Sequence, residues 1–155
     1  MTYHPPKSES CRLLEQEMRN ETPDLGMARK FQQEGIDTGC PYCEYSLATW
    51  YLHSMANVVP KDAVRAIPLL KSAADKGLAL ACFDLAVCYE TGAGVQKSEK
   101  TAFQYYMEAA LLGDVTAYEE VGRMYFHGIG VTKDMALAEI WLRSFERLSD
   151  CDNKK

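Results

Sequence analysis

The chain repeats itself. Laying residues 77–112 over residues 113–148, a shift of 36 positions, pairs Ala81 with Ala117, Tyr89 with Tyr125 and Ala102 with Ala138. The same shift pairs Gly92, Gly94 and Val95 with Gly128, Gly130 and Val131. Small and aromatic residues recur where helices would touch, and glycines recur where a turn would sit. A period of this length confines the chain to stacked units, because one such unit cannot bury its apolar face alone.

A third copy lies at residues 39–76. Cys43, Leu47, Ala48 and Tyr51 fall at the places of Ala81, Leu85, Ala86 and Tyr89, and Ala66, Ala73 and Ala74 at those of Ala102, Ala109 and Ala110. This copy is two residues longer. His53 to Lys61 replaces the glycine turn, and Pro60-Lys61-Asp62 leads into the next helix.

Each copy predicts two helices. In Ala79–Thr91 the apolar residues Ala81, Leu85, Cys88 and Tyr89 keep helical spacing. Gly92-Ala93-Gly94-Val95 ends that helix, since glycine enters the left-handed conformation that costs other residues about 1–2 kcal/mol. A second helix runs from about Glu99 to Leu112, with Ala102, Phe103, Tyr106, Ala109 and Ala110 on its inner face. Gly113 ends it and Asp114 caps the next. Ala86 and Gly122 let the paired helices approach, and the tyrosines one turn on fill the space beside them.

The fold class expected is therefore all-α, a solenoid of helix–loop–helix repeats. Residues 1–7 read as a flexible start and 8–38 as a degenerate helical cap, with helices at Ser8–Arg19 and Asp24–Glu34 and Gly35 marking an end. Repeats follow at 39–76, 77–112 and 113–148. In the last of these, Phe145 and Glu146 replace the alanine pair, as expected where no further unit stacks. Residues 149–155 read as a polar tail.

Composition narrows the functional classes. Of 155 residues, 47% are hydrophobic and 25% charged, and the net charge is −5. That balance suits a globular chain. A mildly acidic chain without a Lys/Arg cluster does not suit a nucleic-acid or anionic-membrane surface. No stretch approaches 18 apolar residues, and the polar start lacks the basic and apolar segments of a signal peptide. The expectation is a cytoplasmic protein with its six cysteines reduced.

The recurring residues resemble the Sel1-like repeat family, a relative of the tetratricopeptide repeats. The family pattern appears as Ala81, Leu85-Ala86, Tyr89, Gly92-Ala93-Gly94-Val95, Thr101-Ala102, Tyr105-Tyr106 and Ala109-Ala110. The next copy supplies Ala117, Val121-Gly122, Tyr125, Gly128-Ile129-Gly130-Val131, Leu137-Ala138 and Trp141-Leu142. The resemblance implies a right-handed αα superhelix used as an adaptor or scaffold, whose first helices line a concave face. Carried over residue by residue, that face holds Tyr42, Tyr45, Thr49 and Leu52; Leu80, Phe83, Val87 and Glu90; and Thr116, Glu119, Arg123 and Phe126. The implied function is non-enzymatic binding of a protein or peptide. A variant of it is an inhibitor or immunity-type protein that neutralises one partner enzyme. Packing of Tyr45 and Phe83 between units is the competing reading, because helix contacts also select aromatics.

Cys40-Pro41-Tyr42-Cys43 points to a different class, a thiol oxidoreductase using Cys40 and Cys43, since a thiol at a helix N-terminus has a lowered pKa. That chemistry needs a strand before the motif, and no strand pattern precedes it. Within the repeat, Cys43 simply holds the alanine position, Cys40 the cap position, and Pro41 the first turn. Zinc on Cys40 and Cys43 lacks a second close Cys or His pair, so no metal or cofactor is expected. Cysteine-rich members of the resembled family pair a first-helix with a second-helix cysteine. The second helices as delimited here contain none, so that scheme does not transfer. His53 and His127 each follow a first helix, where a positive charge favours the carbonyl end. Gly92-Ala93-Gly94 and Gly128-Ile129-Gly130 follow helices and lack a third glycine, which excludes a nucleotide loop.

Overall fold

The computed structural model describes residues 4–55 and 59–152. The first three residues of the expected flexible start, the middle of the 53–61 loop and the last three residues of the expected tail lie outside the described residues. Among the described residues eight helices form: α1 (Glu9–Met18), α2 (Leu25–Asp37), α3 (Pro41–His53), α4 (Ala63–Asp75), α5 (Ala79–Thr91), α6 (Glu99–Leu111), α7 (Val115–His127) and α8 (Met135–Asp152). Among the described residues the one β feature is an isolated bridge between Met55 and Val59. The architecture is all-α and built of helix–loop–helix repeats. Contacts divide it into two compact units, His4–Leu78 with α1 to α4 and residues from Ala79 onward with α5 to α8.

The same backbone bonds recur in each repeat. Between the two helices of a repeat, the amide of the second helix's cap residue donates to the carbonyl of the recurring tyrosine: Asp62 to Tyr51, Ser98 to Tyr89 and Asp134 to Tyr125, at 2.8, 2.9 and 3.0 Å. At the N-terminal pair the Asp24 amide donates instead to the Glu17 carboxylate at 2.8 Å, a side chain standing in for the missing carbonyl. Between repeats, Gly39, Gly77 and Gly113 turn the chain with φ of 79°, 82° and 99°. Each donates to the carbonyl three residues back, and the following residue donates to the carbonyl five back, the paired bonds of a Schellman ending. Asp24, Asp62, Ser98 and Asp114 accept capping bonds from the first turns of their helices.

Alanines do the close packing. Ala28, Ala66, Ala73, Ala81, Ala86, Ala102, Ala109 and Ala117 have no exposed surface. Ala28 extends the series of Ala66, Ala102 and Ala138 backward, so α1 and α2 form a fourth, degenerate hairpin. Two boundaries differ from the sequence expectation, and one turn is made in another way. Gly35 does not end α2, which continues to Asp37. It lies inside the helix because the Cys43 side chain fills the space beside it. Helix α8 runs to Asp152 through the segment read as tail, and it thereby contains Cys151, so one second helix does carry a cysteine. In the first repeat Ser54 adopts φ 63° at the position of Gly92 and Gly128, doing the turn's work without a glycine.

Gly122 shows how tight a hairpin is. A Cβ there would lie 2.7 Å from Leu142 Cγ and 3.4 Å from the Ala138 carbonyl oxygen. Gly122→Leu should therefore cost about 1–3 kcal/mol, the usual cost of overpacking. Glu119→Ala, at an exposed position of the same helix, should change stability by less than about 0.5 kcal/mol. Urea unfolding of the two variants checks this ordering. Glu120, which the sequence alone places at the surface, is half-buried and ion-paired with Arg123 at 2.7 Å, so it is not a neutral control.

Candidate functional site

Helices α5 and α7 are the first helices of consecutive repeats, and both belong to the unit from Ala79 onward. On α5 the spacing of three, four and three residues puts Leu80, Phe83, Val87 and Glu90 on one stripe. On α7 the same spacing aligns Thr116, Glu119, Arg123 and Phe126. The structure joins the two stripes. Arg123 donates through Nη2 to Glu90 Oε1 at 2.7 Å and through Nε to Glu120 Oε2 at 2.7 Å. Glu90 Oε2 accepts from the Tyr106 hydroxyl at 3.0 Å. The arrangement is a short network, with one guanidinium between two carboxylates and a tyrosine of α6 behind it.

Burial opposes charge on the guanidinium, but its two carboxylate partners outweigh that and hold the Arg123 pKa above its ordinary value. Burial, reinforced by the Glu90 carboxylate, pushes the Tyr106 phenol far up, so it stays a hydrogen-bond donor. A hydrogen-bonded network of this kind fixes the register of two helices. It contains no free base and no nucleophile.

The apolar members of the stripes divide into two groups. Phe83 packs edge-on against Tyr106 with ring centroids 5.2 Å apart, so it is committed to the hairpin. Leu80, Val87 and Phe126 are instead 46%, 37% and 41% exposed. Phe126 meets the His127 ring edge-on at 4.8 Å and lies 5.7 Å from the Lys133 ammonium.

In the unit His4–Leu78, the corresponding residues of α3 are less available. Tyr42 packs against the core cluster of Cys11, Cys40 and Cys43, with the Lys7 ammonium 5.2 Å from its ring centre. Thr49 donates to the Ser46 carbonyl at 2.8 Å, and Tyr45 and Leu52 are half-buried. Residues reasoned from sequence did not include Glu44, buried on α3, which accepts from Ser72 at 2.9 Å and Lys76 at 2.7 Å.

The Cys40-Pro41-Tyr42-Cys43 motif opens α3, a repeat helix, and both of its thiols are buried. Burial raises the Cys40 thiol, but bonds from the Ser8 hydroxyl and from the amides of Ser8, Cys43 and Tyr42 more than compensate and bring it down to about 7. Burial and the neighbouring sulfurs drive Cys43 far up. The structure also adds a residue that spacing does not reveal. Cys11, on α1, brings its sulfur into the same cluster, and all three Sγ atoms lie within 4.8 Å of one another. Burial pushes its thiol up to about 11.

A helix–loop–helix solenoid whose first helices carry an ion-paired, partly apolar face belongs to the tetratricopeptide-like class. The Sel1 repeat model matches residues 41–78, 79–114 and 115–150, and the chain belongs to that family. Repeats of this family are used as scaffolds for protein–protein interaction. The DAP3-binding cell death enhancer 1 of Mus musculus is 32% identical over 90 residues, which are 58% of this chain and 17% of that protein. The structure of c5321, a protective antigen of uropathogenic Escherichia coli with an SLR fold, aligns with TM-score 0.83 and 30% identity over 90% of this chain and 30% of that one. A Sel1 repeat protein from Oxalobacter formigenes aligns with TM-score 0.71 and 27% identity over 77% and 89% of the two chains. The chain thus spans less than a third of the first relatives it matches.

Proposed function

We propose that the α5–α7 first-helix face binds a protein partner, with Leu80, Val87 and Phe126 as apolar contacts and Glu119, Glu90 and Arg123 as the charged frame. The observation that carries this reading is the exposure of three large apolar side chains on one stripe pair, beside a half-buried Phe83 that packs on Tyr106. The core of an interface is more apolar than the surrounding surface, with aromatics such as Phe enriched, and charged neighbours set its register. The carboxylates of Glu90, Glu119 and Glu120 outnumber the two cations of this face, Arg123 and the Lys133 beside Phe126, so a partner segment bearing apolar and basic residues complements it. Tyr42, Tyr45, Thr49 and Leu52 are the secondary candidates. No helix among the described residues is long and apolar enough to cross a membrane. Cys11, Cys40, Cys43 and Cys88 are buried as free thiols, which supports residence in a reducing compartment such as the cytoplasm.

The test is affinity capture from the native host with three baits: wild type, Leu80→Asp/Val87→Asp, and the exposed second-helix variant Leu111→Asp. The expected result is a protein retained by wild type and Leu111→Asp but lost from the double variant, with the helical circular dichroism and melting temperature of the baits alike. Equal retention by all three would remove this face from the function.

A further inference from the structure

The three-sulfur cluster lies in the unit His4–Leu78, whereas the α5–α7 face lies in the other unit. It is assembled by three helices. Cys11 comes from the first turns of α1, Cys40 is the residue that precedes α3, and Cys43 lies in its first turn. Helix α2 contributes the space they occupy. A Cβ on Gly35 would lie 2.1 Å from Cys43 Sγ and 2.8 Å from Cys43 Cβ, so the sulfur fits only because glycine stands there.

The chain's own repeats show that packing alone does not require this sulfur. Gly35 occupies the place of Ala73 and Ala109, and Cys43 the place of Ala81 and Ala117, all fully buried alanines. Where the other repeats use alanine at both positions, this one uses glycine opposite cysteine. Side-chain volume has been moved from α2 to α3 with a thiol as the result. Two further thiols, from residues outside that alanine series, then converge on it.

We propose that Cys11, Cys40 and Cys43 form a binding site for a thiophilic monovalent metal ion, Cu(I), held by three thiolate sulfurs. Metal–sulfur bonds near 2.3 Å place three ligands on a triangle with edges of about 4 Å, which sulfurs already within 4.8 Å of one another reach by small side-chain adjustment. Among the described residues no imidazole or carboxylate joins the cluster, and all three cysteines are buried. Zinc asks for four ligands, whereas a dry, all-sulfur, three-coordinate site suits Cu(I). The Ser8 hydroxyl and the first-turn amides of α3 face the Cys40 sulfur, which favours the thiolate a metal needs. The Lys7 ammonium, bonded to Glu15 and over the ring of Tyr42, which packs on the cluster, offsets part of the negative charge that three thiolates on a monovalent ion retain.

The experiment presents Cu(I) as its bicinchoninate complex to the reduced, metal-free full chain and follows loss of the chelate's colour. Wild type should withdraw one equivalent, and X-ray absorption should show three sulfur neighbours. Cys43→Ala restores the residue that the other repeats use and is therefore the variant expected to fold. It should weaken capture by about 100-fold or more, since outer-shell partners alone carry about 10–100-fold. Cys11→Ser should do the same, and Cys88→Ala, in the other unit, should leave capture unchanged. Failure of wild type to compete with the chelator overturns the proposal. So does undiminished capture by a folded Cys43→Ala, or oxygen or nitrogen in the copper's first shell.

Discussion

Gly130→Ala should be the most damaging single-methyl change in the unit from Ala79 onward. The added Cβ would lie 2.1 Å from the Glu99 carbonyl oxygen, 2.4 Å from its carbon and 2.8 Å from the Lys100 nitrogen. Those are backbone atoms at the start of α6, and backbone cannot swing aside as a side chain can. The position also has φ 67°, in the left-handed region. Conformational strain of about 1–2 kcal/mol and a forced separation of about 1–3 kcal/mol together predict a loss of about 2–5 kcal/mol. At about 2–4 °C per kcal/mol for a chain of this size, the melting temperature should fall by about 4–20 °C. Gly92→Ala separates the two causes. Its φ is 81°, but the nearest atom to its Cβ, Lys97 Cβ, is 3.5 Å away, so only strain is incurred and the loss should be about 1–2 kcal/mol. Thermal unfolding followed at the helical circular-dichroism band gives both values. Equal losses would mean that the third repeat's turn does not press on the second repeat.

Gly35→Ala is the second large effect, and it can be reversed by a second substitution. The Cβ collides with Cys43 Sγ at 2.1 Å, and the sulfur is hemmed in by Cys11 and Cys40. The single variant should lose about 1–3 kcal/mol. Adding Cys43→Ala recreates the alanine pair found at Ala109 and Ala117, and the double variant should recover most of that loss. The cycle should then give a coupling of about 1–3 kcal/mol, within the range for residues in contact. Urea denaturation of wild type, both single variants and the double variant measures it. Strictly additive losses would show that α2 and α3 do not meet at this point.

The fold was legible because its contacts are local and repeated. Tyr51, Tyr89 and Tyr125 recur because each tyrosine's carbonyl takes the cap amide of the next helix, and the glycines recur because a positive φ or a backbone contact admits nothing larger. Helix ends were harder to read. Gly35 looks like a stop signal, yet its reason for being glycine is a sulfur on another helix, which no local rule contains. Phe83 and Val87 share a stripe in sequence, but the Tyr106 ring packs on the first and leaves the second exposed. Cys11 was missed for the same reason: it lies in the degenerate first hairpin, far along the chain from Cys40 and Cys43. The available signal was glycine at an alanine position of one helix paired with cysteine at an alanine position of the next.

The central claim is that α5 and α7 present the partner-binding face. Hydrogen–deuterium exchange with the captured partner tests it without altering a residue. Uptake should fall across Ala79–Thr91 and Val115–His127 on complex formation and stay unchanged in the central turns of α6 and α8. Protection confined to α6 and α8, with the two first helices exchanging as in the free protein, would contradict it.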